Sequence, residues 1–160
     1  KAEFVDKIDS IDIQKLIDDL LTTVSDANGV GIAAPQVAVG YRVFIVASRP
    51  KLRYPNAPLM KPTAMINPKI VAHSDETVKD WEGCLSIPGI RGLVPRYQNI
   101  EVEYIDRKGN LVNQQLTDFV ARIFQHEYDH FEGLVFLDRV ESTFDIVTEQ
   151  EYQNLMFEKL

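Results

Sequence analysis

At 160 residues, 45% of them hydrophobic, the chain is long enough for one domain to bury a core without cross-links. Its 24 acidic residues outnumber 17 basic ones, and the net charge of −7 argues against general binding to nucleic acid or to an anionic membrane. One cysteine excludes an internal disulfide, no apolar run reaches membrane-spanning length, and Lys1-Ala2-Glu3-Phe4 lacks the order of a secretory leader. The expectation is a soluble, cytoplasmic protein of a reducing compartment, or one of an organelle if a leader has been removed.

Taken in order, Ile13, Leu16, Ile17, Leu20, Leu21 and Val24 recur at helical spacing behind Ser10, a good N-cap, and predict an amphipathic helix over 11–24. The turn-forming Ser25-Asp26-Ala27-Asn28-Gly29 ends it. In the following Gly29-Val30-Gly31-Ile32-Ala33-Ala34-Pro35-Gln36, small residues would let the main chain approach a ligand, and Gln36 could donate to a developing oxyanion. A tight turn packed on the core accounts for the same stretch. Val43-Phe44-Ile45-Val46 reads as a strand, 48–62 as a proline-rich loop, and 64–67 and 70–72 as strands broken at Pro68. Beyond the polar 74–80, Trp81-Glu82-Gly83-Cys84-Leu85-Ser86-Ile87-Pro88-Gly89 holds the lone cysteine, a residue type that is commonly a small buried hydrophobe. Over 99–106, Ile100, Val102 and Tyr104 alternate with Glu101 and Glu103, and a turn at Lys108-Gly109-Asn110 returns the chain through 111–116 as a hairpin.

The hairpin leads into a helix over 117–133, with Thr117 as N-cap, Asp118 in the first turn and Gly133 to end it. Phe119, Val120, Ile123, Phe124, His126, Glu127, His130 and Phe131 share one broad side, predicted to face inward. Ala121, Gln125, Tyr128 and Asp129 fall on the other. His126-Glu127-Tyr128-Asp129-His130 is an H-E-x-x-H pattern, in which imidazoles four apart share a face and can reach one ion, with the glutamate beside them. Two hydrogen-bonded core histidines are the alternative for the motif alone. A short strand at 134–137 follows, then a last helix opened by the capping box Thr148-Glu149-Gln150-Glu151, with Tyr152, Leu155 and Met156 on its apolar side. This order is that of a single α+β domain over 1–160.

A hydrolytic metal site needs three protein ligands and an open position for water, and the Cys84 thiolate with His126 and His130 would meet that need. His73 lies in a polar stretch better suited to solvation. Glu127 would serve as general base, while Gln36 and the backbone N–H of Leu85 would receive charge appearing on a carbonyl oxygen. The reaction class is amide hydrolysis.

Three stretches, Gly29 to Gln36, Glu82-Gly83-Cys84-Leu85-Ser86 and Gln125-His126-Glu127-Tyr128-Asp129-His130, together and in this order resemble the signature stretches of the peptide deformylases. The likeness continues through Arg91-Gly92-Leu93-Val94-Pro95-Arg96 and Phe136-Leu137-Asp138-Arg139. It implies an α+β domain in which antiparallel sheets surround the motif helix, with Cys84, His126 and His130 as ligands of one divalent ion, Fe(II) in the cell and replaceable by nickel, cobalt or zinc. Glu127 would be the acid/base, with Gln36 and the Leu85 amide polarising the formyl carbonyl of an N-formylmethionyl nascent peptide, from which formate is released. Val30, Gly31, Glu82, Arg91 and Ile123 would line or support the substrate site, Glu82 and Arg96 bracing the metal loop. A pocket of Val30, Phe119 and Ile123 suits a flexible thioether. Relatives usually carry a further segment before the stretch matching Phe4 to Ile13. The tail also lacks the long basic extension by which some relatives bind the ribosome, so contact through this tail is not supported and a transient ribosome contact is the most that is expected. A zinc peptidase built on the same helix pattern, or a non-catalytic binder of a metal or nascent chain, are the other readings.

Overall fold

Apolar residues on both sides of one strand decide the architecture, because such a strand must be covered twice. The computed structural model describes residues 1–50 and 54–157. Among these the chain runs α1 (Ile11–Asp26), β1 (Gly31–Ala33), β2 (Val43–Ser48), β3 (Met60–His73), β4 (Thr77–Cys84), β5 (Ile87–Tyr97), β6 (Asn99–Ile105), β7 (Leu111–Thr117), α2 (Asp118–His130), β8 (Ile146–Thr148) and α3 (Glu149–Phe157), with short 3-10 turns between some of them. The strands form an antiparallel five-stranded sheet, β1-β2-β3-β6-β7, and an antiparallel three-stranded sheet, β4-β5-β8. The α+β class expected from the sequence is the one observed.

β2 explains the layering. Val43 and Ile45 point to one face, where Ile13, Leu16, Ile17, Leu20 and Val24 of α1 cover them, whereas Phe44 and Val46 point to the other and pack with Phe124 and Phe131. A strand buried on both faces reads as an unbroken apolar run, as this one does. α1 starts where expected, with the Ser10 hydroxyl accepting from Ile13 N–H. The hairpin of β6 and β7 likewise buries Ile100, Val102 and Tyr104 on one face.

α2 departs from the amphipathic expectation. It packs against strands of both sheets, so Ala121, Gln125 and Asp129, assigned to the outer side, are buried with the rest. Gln125 docks there by hydrogen bonds: its Oε1 accepts from Tyr97 N–H at 3.1 Å and its Nε2 donates to Tyr97 O at 2.9 Å. Thr117 is extended before the helix but its side chain makes no capping bond; Asp118 N–H instead donates to Gln98 O. At the far end, Leu134 N–H donates to Asp129 O and Gly133 N–H to His130 O, with Gly133 at φ 77°, the left-handed geometry that glycine adopts without penalty.

Three local expectations are corrected. The 134–137 segment is not a strand: Asp138 Oδ2 accepts from Val135 N–H and closes a 3-10 turn over Phe136–Arg139, which buries Phe136. Pro68 does not divide two strands, since β3 runs through it with a register shift between Ile66 and Lys69. Asn67, at φ 51°, turns its amide to bond both Val5 N–H and Val5 O. The expected loop over 48–62 is shorter, with Ser48 closing β2 and Met60 opening β3, and its residues 51–53 lie outside those described. The strand β8 had no expectation, being only three residues of Ile-Val-Thr paired to β5. No helix among the described residues is long and apolar enough to cross a membrane.

The Phe44 ring is fully buried, edge-on to Phe124 at 5.1 Å and stacked on Phe131 at 5.2 Å. Phe44→Ala is expected to cost about 3–5 kcal/mol, lowering the urea midpoint with an unchanged slope.

Candidate metal centre

The irregular end of the β4–β5 hairpin, where Cys84 pairs with Ile87, carries the thiol to the second turn from the end of α2. There His126 and His130, one helical turn apart, present their rings at 5.0 Å and nearly at right angles. The donor atoms of Cys84, His126 and His130 all lie within 4.8 Å of one another, and Cys84 Sγ stands 3.6 Å from His130 Nε2. A tetrahedral ion with bonds of about 2.3 Å to sulfur and about 2.1 Å to nitrogen sets those two atoms about 3.6 Å apart. The donor set fits a divalent transition metal.

Hydrogen bonds behind the rings fix which nitrogen is free. His126 Nδ1 faces Glu82 Oε2 at 2.9 Å, and His130 Nδ1 faces Leu134 O at 3.1 Å. Carboxylate and carbonyl oxygens only accept, so both Nδ1 atoms carry the proton and both Nε2 lone pairs point to the cysteine side. The glycine turn after α2 therefore has a chemical purpose, since it places the Leu134 carbonyl beneath His130.

Glu82 is the junction of this inner layer. Its Oε1 accepts from Arg96 Nε and Arg122 Nη1, both at 2.9 Å, and its Oε2 accepts from Arg96 Nη2 at 3.0 Å as well as from His126. Arg96 Nη1 continues to Asp129 Oδ2 at 2.7 Å, and Asp129 Oδ1 takes Arg139 Nη2 at 2.7 Å. Burial opposes the charge on Glu82, but the hydrogen bonds from His126 and Arg96 outweigh it and hold the carboxyl well below the usual range. Burial opposes the charge on Asp129 too, and is outweighed by the bond from Arg139 and the charge of Arg96. At Cys84, burial is overcome by hydrogen bonds with His126 and His130, and the thiol is lowered to about 5. Cation binding takes the thiol as thiolate and the imidazoles as neutral rings, so any proton these donors hold leaves on binding.

Glu127 behaves in the opposite sense. Burial pushes its carboxyl up to about 7, and Oε2 makes no hydrogen bond among the described residues. Gly31 of β1 makes room for it: a β-carbon there would lie 2.8 Å from Glu127 Cδ. Gln36, in the 3-10 turn after β1, is oriented by Ala33 N–H donating to its Oε1 at 2.9 Å, which leaves Nε2 directed at Ser86 Oγ (3.0 Å) and Cys84 Sγ (3.5 Å). Leu85, next after the cysteine, has an exposed side chain.

These groups open on a cleft of about 290 Å³ whose wall includes Val30, Gly31, Leu85, Phe119 and Ile123. Every candidate residue from the sequence reaches this one region, but two hold places other than a direct contact. Glu82 stands behind His126, and the Arg91 guanidinium is held by Glu149 and the Tyr54 hydroxyl. His73 is exposed and stacks on Tyr97. Arg122, Asp129, Arg139, Tyr54 and Glu149 were missed. Arg122 precedes His126 by four residues and so shares its face, the one signal that pointed to it.

The family described as Polypeptide deformylase matches residues 1–144. The chain belongs to this family. It is 69% identical over 156 residues to peptide deformylase 2 of a Nostoc species, covering 98% of this chain and 87% of that protein, and 47% identical over 127 residues to peptide deformylase 2 of Shewanella oneidensis, covering 79% and 70%. Among solved structures, the class I type b peptide deformylase of Acinetobacter baumannii with Met-Ala-Ser bound superposes with a TM-score of 0.84 at 44% identity, covering 87% of this chain and 89% of that one. The deformylases are metal-dependent enzymes acting on formylated nascent peptides, and among the described residues Cys84, His126 and His130 form a cluster that could hold a metal ion.

Two outcomes follow for this deformylase. Glu82→Gln is expected to weaken metal binding by about 10–100-fold, read by chelator competition, because His126 loses its anionic partner. Carboxyls depressed in the fold stabilise it fully above their unfolded value of about 4 and lose that contribution as pH falls through the folded value. The melting temperature should therefore drop on acidification below about pH 4, and Asp129→Asn should flatten that slope while lowering stability at neutral pH.

Proposed function

We propose that residues 1–160 form one catalytic unit that removes the N-formyl group from the initiator methionine of nascent polypeptides, in a bacterial cytoplasm, with Fe(II) as the resident ion and nickel, cobalt or zinc as substitutes. The observation that carries this reading is the buried Glu127 carboxyl, whose Oε2 has no hydrogen-bond partner among the described residues, next to the convergent Cys84, His126 and His130 donors and lining a partly apolar cleft. When bound, the ion supplies Lewis acidity for water and for the formyl oxygen.

The residues of the chain do the rest. Glu127, titrating near neutrality, takes a proton from the attacking water at Oε2 and returns it to the amine nitrogen as the formyl C–N bond breaks, giving formate and a free amino terminus. Gln36 Nε2, with the Leu85 N–H, donates to the oxygen on which charge develops. Val30, Phe119 and Ile123 offer apolar area to the methionine side chain. The Met-Ala-Ser bound by the Acinetobacter baumannii relative is a peptide of the kind this reaction would release.

The test is formate release from a formyl-Met-Ala-Ser peptide by anaerobically prepared Fe(II) or Ni(II) protein, beside acetylated and internal-amide counterparts. Glu127→Gln should retain a full equivalent of metal yet lose at least about 100-fold in kcat. An active Glu127→Gln protein would overturn the assignment, and equal cleavage of the internal amide would favour a peptidase.

A further inference from the structure

Arg91 is a cation buried in the wall of the cleft, with only 3% of its surface exposed. Its Nε donates to Glu149 Oε2 at 2.6 Å, its Nη1 donates to the Tyr54 hydroxyl at 3.1 Å, and its guanidinium lies 5.1 Å from the centre of the Tyr152 ring. A β-carbon on Gly83 would fall 2.6 Å from Nη1, so the group rests on the backbone just before Cys84. Among the described residues, Glu149 is the one carboxylate ion-paired with it. The β5–β8 register sets this up: Arg91 lies opposite Val147, and two residues on Glu149 opens α3, where an acid is favoured by the helix dipole. Arg91, Tyr54 and Glu149 all line the cleft, and the Glu149 side chain is the more exposed partner, 26% against 4%.

We propose that Glu149 is a specificity-determining residue: by occupying Arg91 with the chain's own carboxylate, it makes the cleft discriminate against formylated peptides that carry an acidic side chain close behind the methionine. The inference rests on the deformylase reading above. A buried cation stripped of its partner is costly and recruits whatever anion can reach it. With Glu149 in place, an acidic peptide side chain meets a like charge and finds the cation already paired, which is selection by repulsion as well as by absence of attraction.

The experiment uses formyl-Met-Ala-Ser peptides in which the second or third residue is Asp or its neutral isostere Asn. For the metal-loaded protein as it stands, kcat/KM should be lower with Asp than with Asn. In Glu149→Gln, which keeps a hydrogen-bond acceptor for Arg91, the Asp-to-Asn ratio at one of the two positions should rise about tenfold, the measure of one charge-assisted hydrogen bond. The change should lie in KM and shrink as salt is added. The double variant Arg91→Gln/Glu149→Gln should fall back toward the original ratio, since both charges are gone. Calorimetric binding of the deformylated Met-Asp-Ser and Met-Asn-Ser peptides (and of Met-Ala-Asp and Met-Ala-Asn) gives the same ratio without turnover. An unchanged ratio at both positions in Glu149→Gln, by either readout, would overturn the proposal. Absence of formate release from every formyl peptide by the unsubstituted protein would instead count against the deformylase reading, and the calorimetric ratio would still decide the role of Glu149.

Discussion

The carboxylate of Glu82 is the point through which two strands of the small sheet and the central helix agree on one geometry. It sits on β4, two residues before Cys84, and accepts from Arg96 of β5 and from Arg122 and His126 of α2. Arg122 also binds the backbone of both strands, donating to Val94 O at 2.7 Å and to Val78 O at 2.5 Å. An isolated ion inside a protein is strongly disfavoured, and such a group persists only where its hydrogen bonds are filled. Here each anion has at least two cationic donors, so the ligand-bearing strand and the ligand-bearing helix cannot shift without breaking several of them.

That layer also explains why α2 is tolerated where it is. A helix with two histidines, a glutamate, two aspartates, an arginine and a glutamine would ordinarily lie on the surface. Its apolar side is met by Phe44 and Met65 of the large sheet, while its polar side is met by arginines and backbone groups of the small one. The helix is thus amphipathic between two interiors rather than between interior and water. Among the described residues of this helix, Glu127 is left with a buried side-chain oxygen that nothing satisfies, and it lies beside the cleft.

Much of this was legible in the residues. The i, i+4 histidines, the lone thiol and the glycine-rich stretch ending in Gln36 each carry a local chemical signature, and the fold brings all of them together. The alternation over β6 and the helical spacing of α1 were equally plain, because one solvated face leaves a clear period. What was not legible has a common cause. Ala121, Gln125 and Asp129 look outward on a helical wheel, and only knowledge of a second sheet shows that outward is also inside. Asn67 carries β3 past Pro68 by bonding Val5, sixty-two residues away in sequence, and no local pattern announces such a partner. β8 is three residues long, too short for any period, and Glu149 is placed by its pairing.

The separation of the ligands along the chain has a further consequence. Cys84 and His130 are 46 residues apart, on a hairpin and on a helix that belong to different layers. A cation held by both closes that length of chain into a loop, as a covalent link would, but reversibly and only while the thiolate and imidazoles stay deprotonated. Occupancy of the centre is then felt by the whole fold as a restriction on how far β4 can part from α2. Such a link would tie the small sheet to the central helix, beyond the hydrogen bonds that already join them.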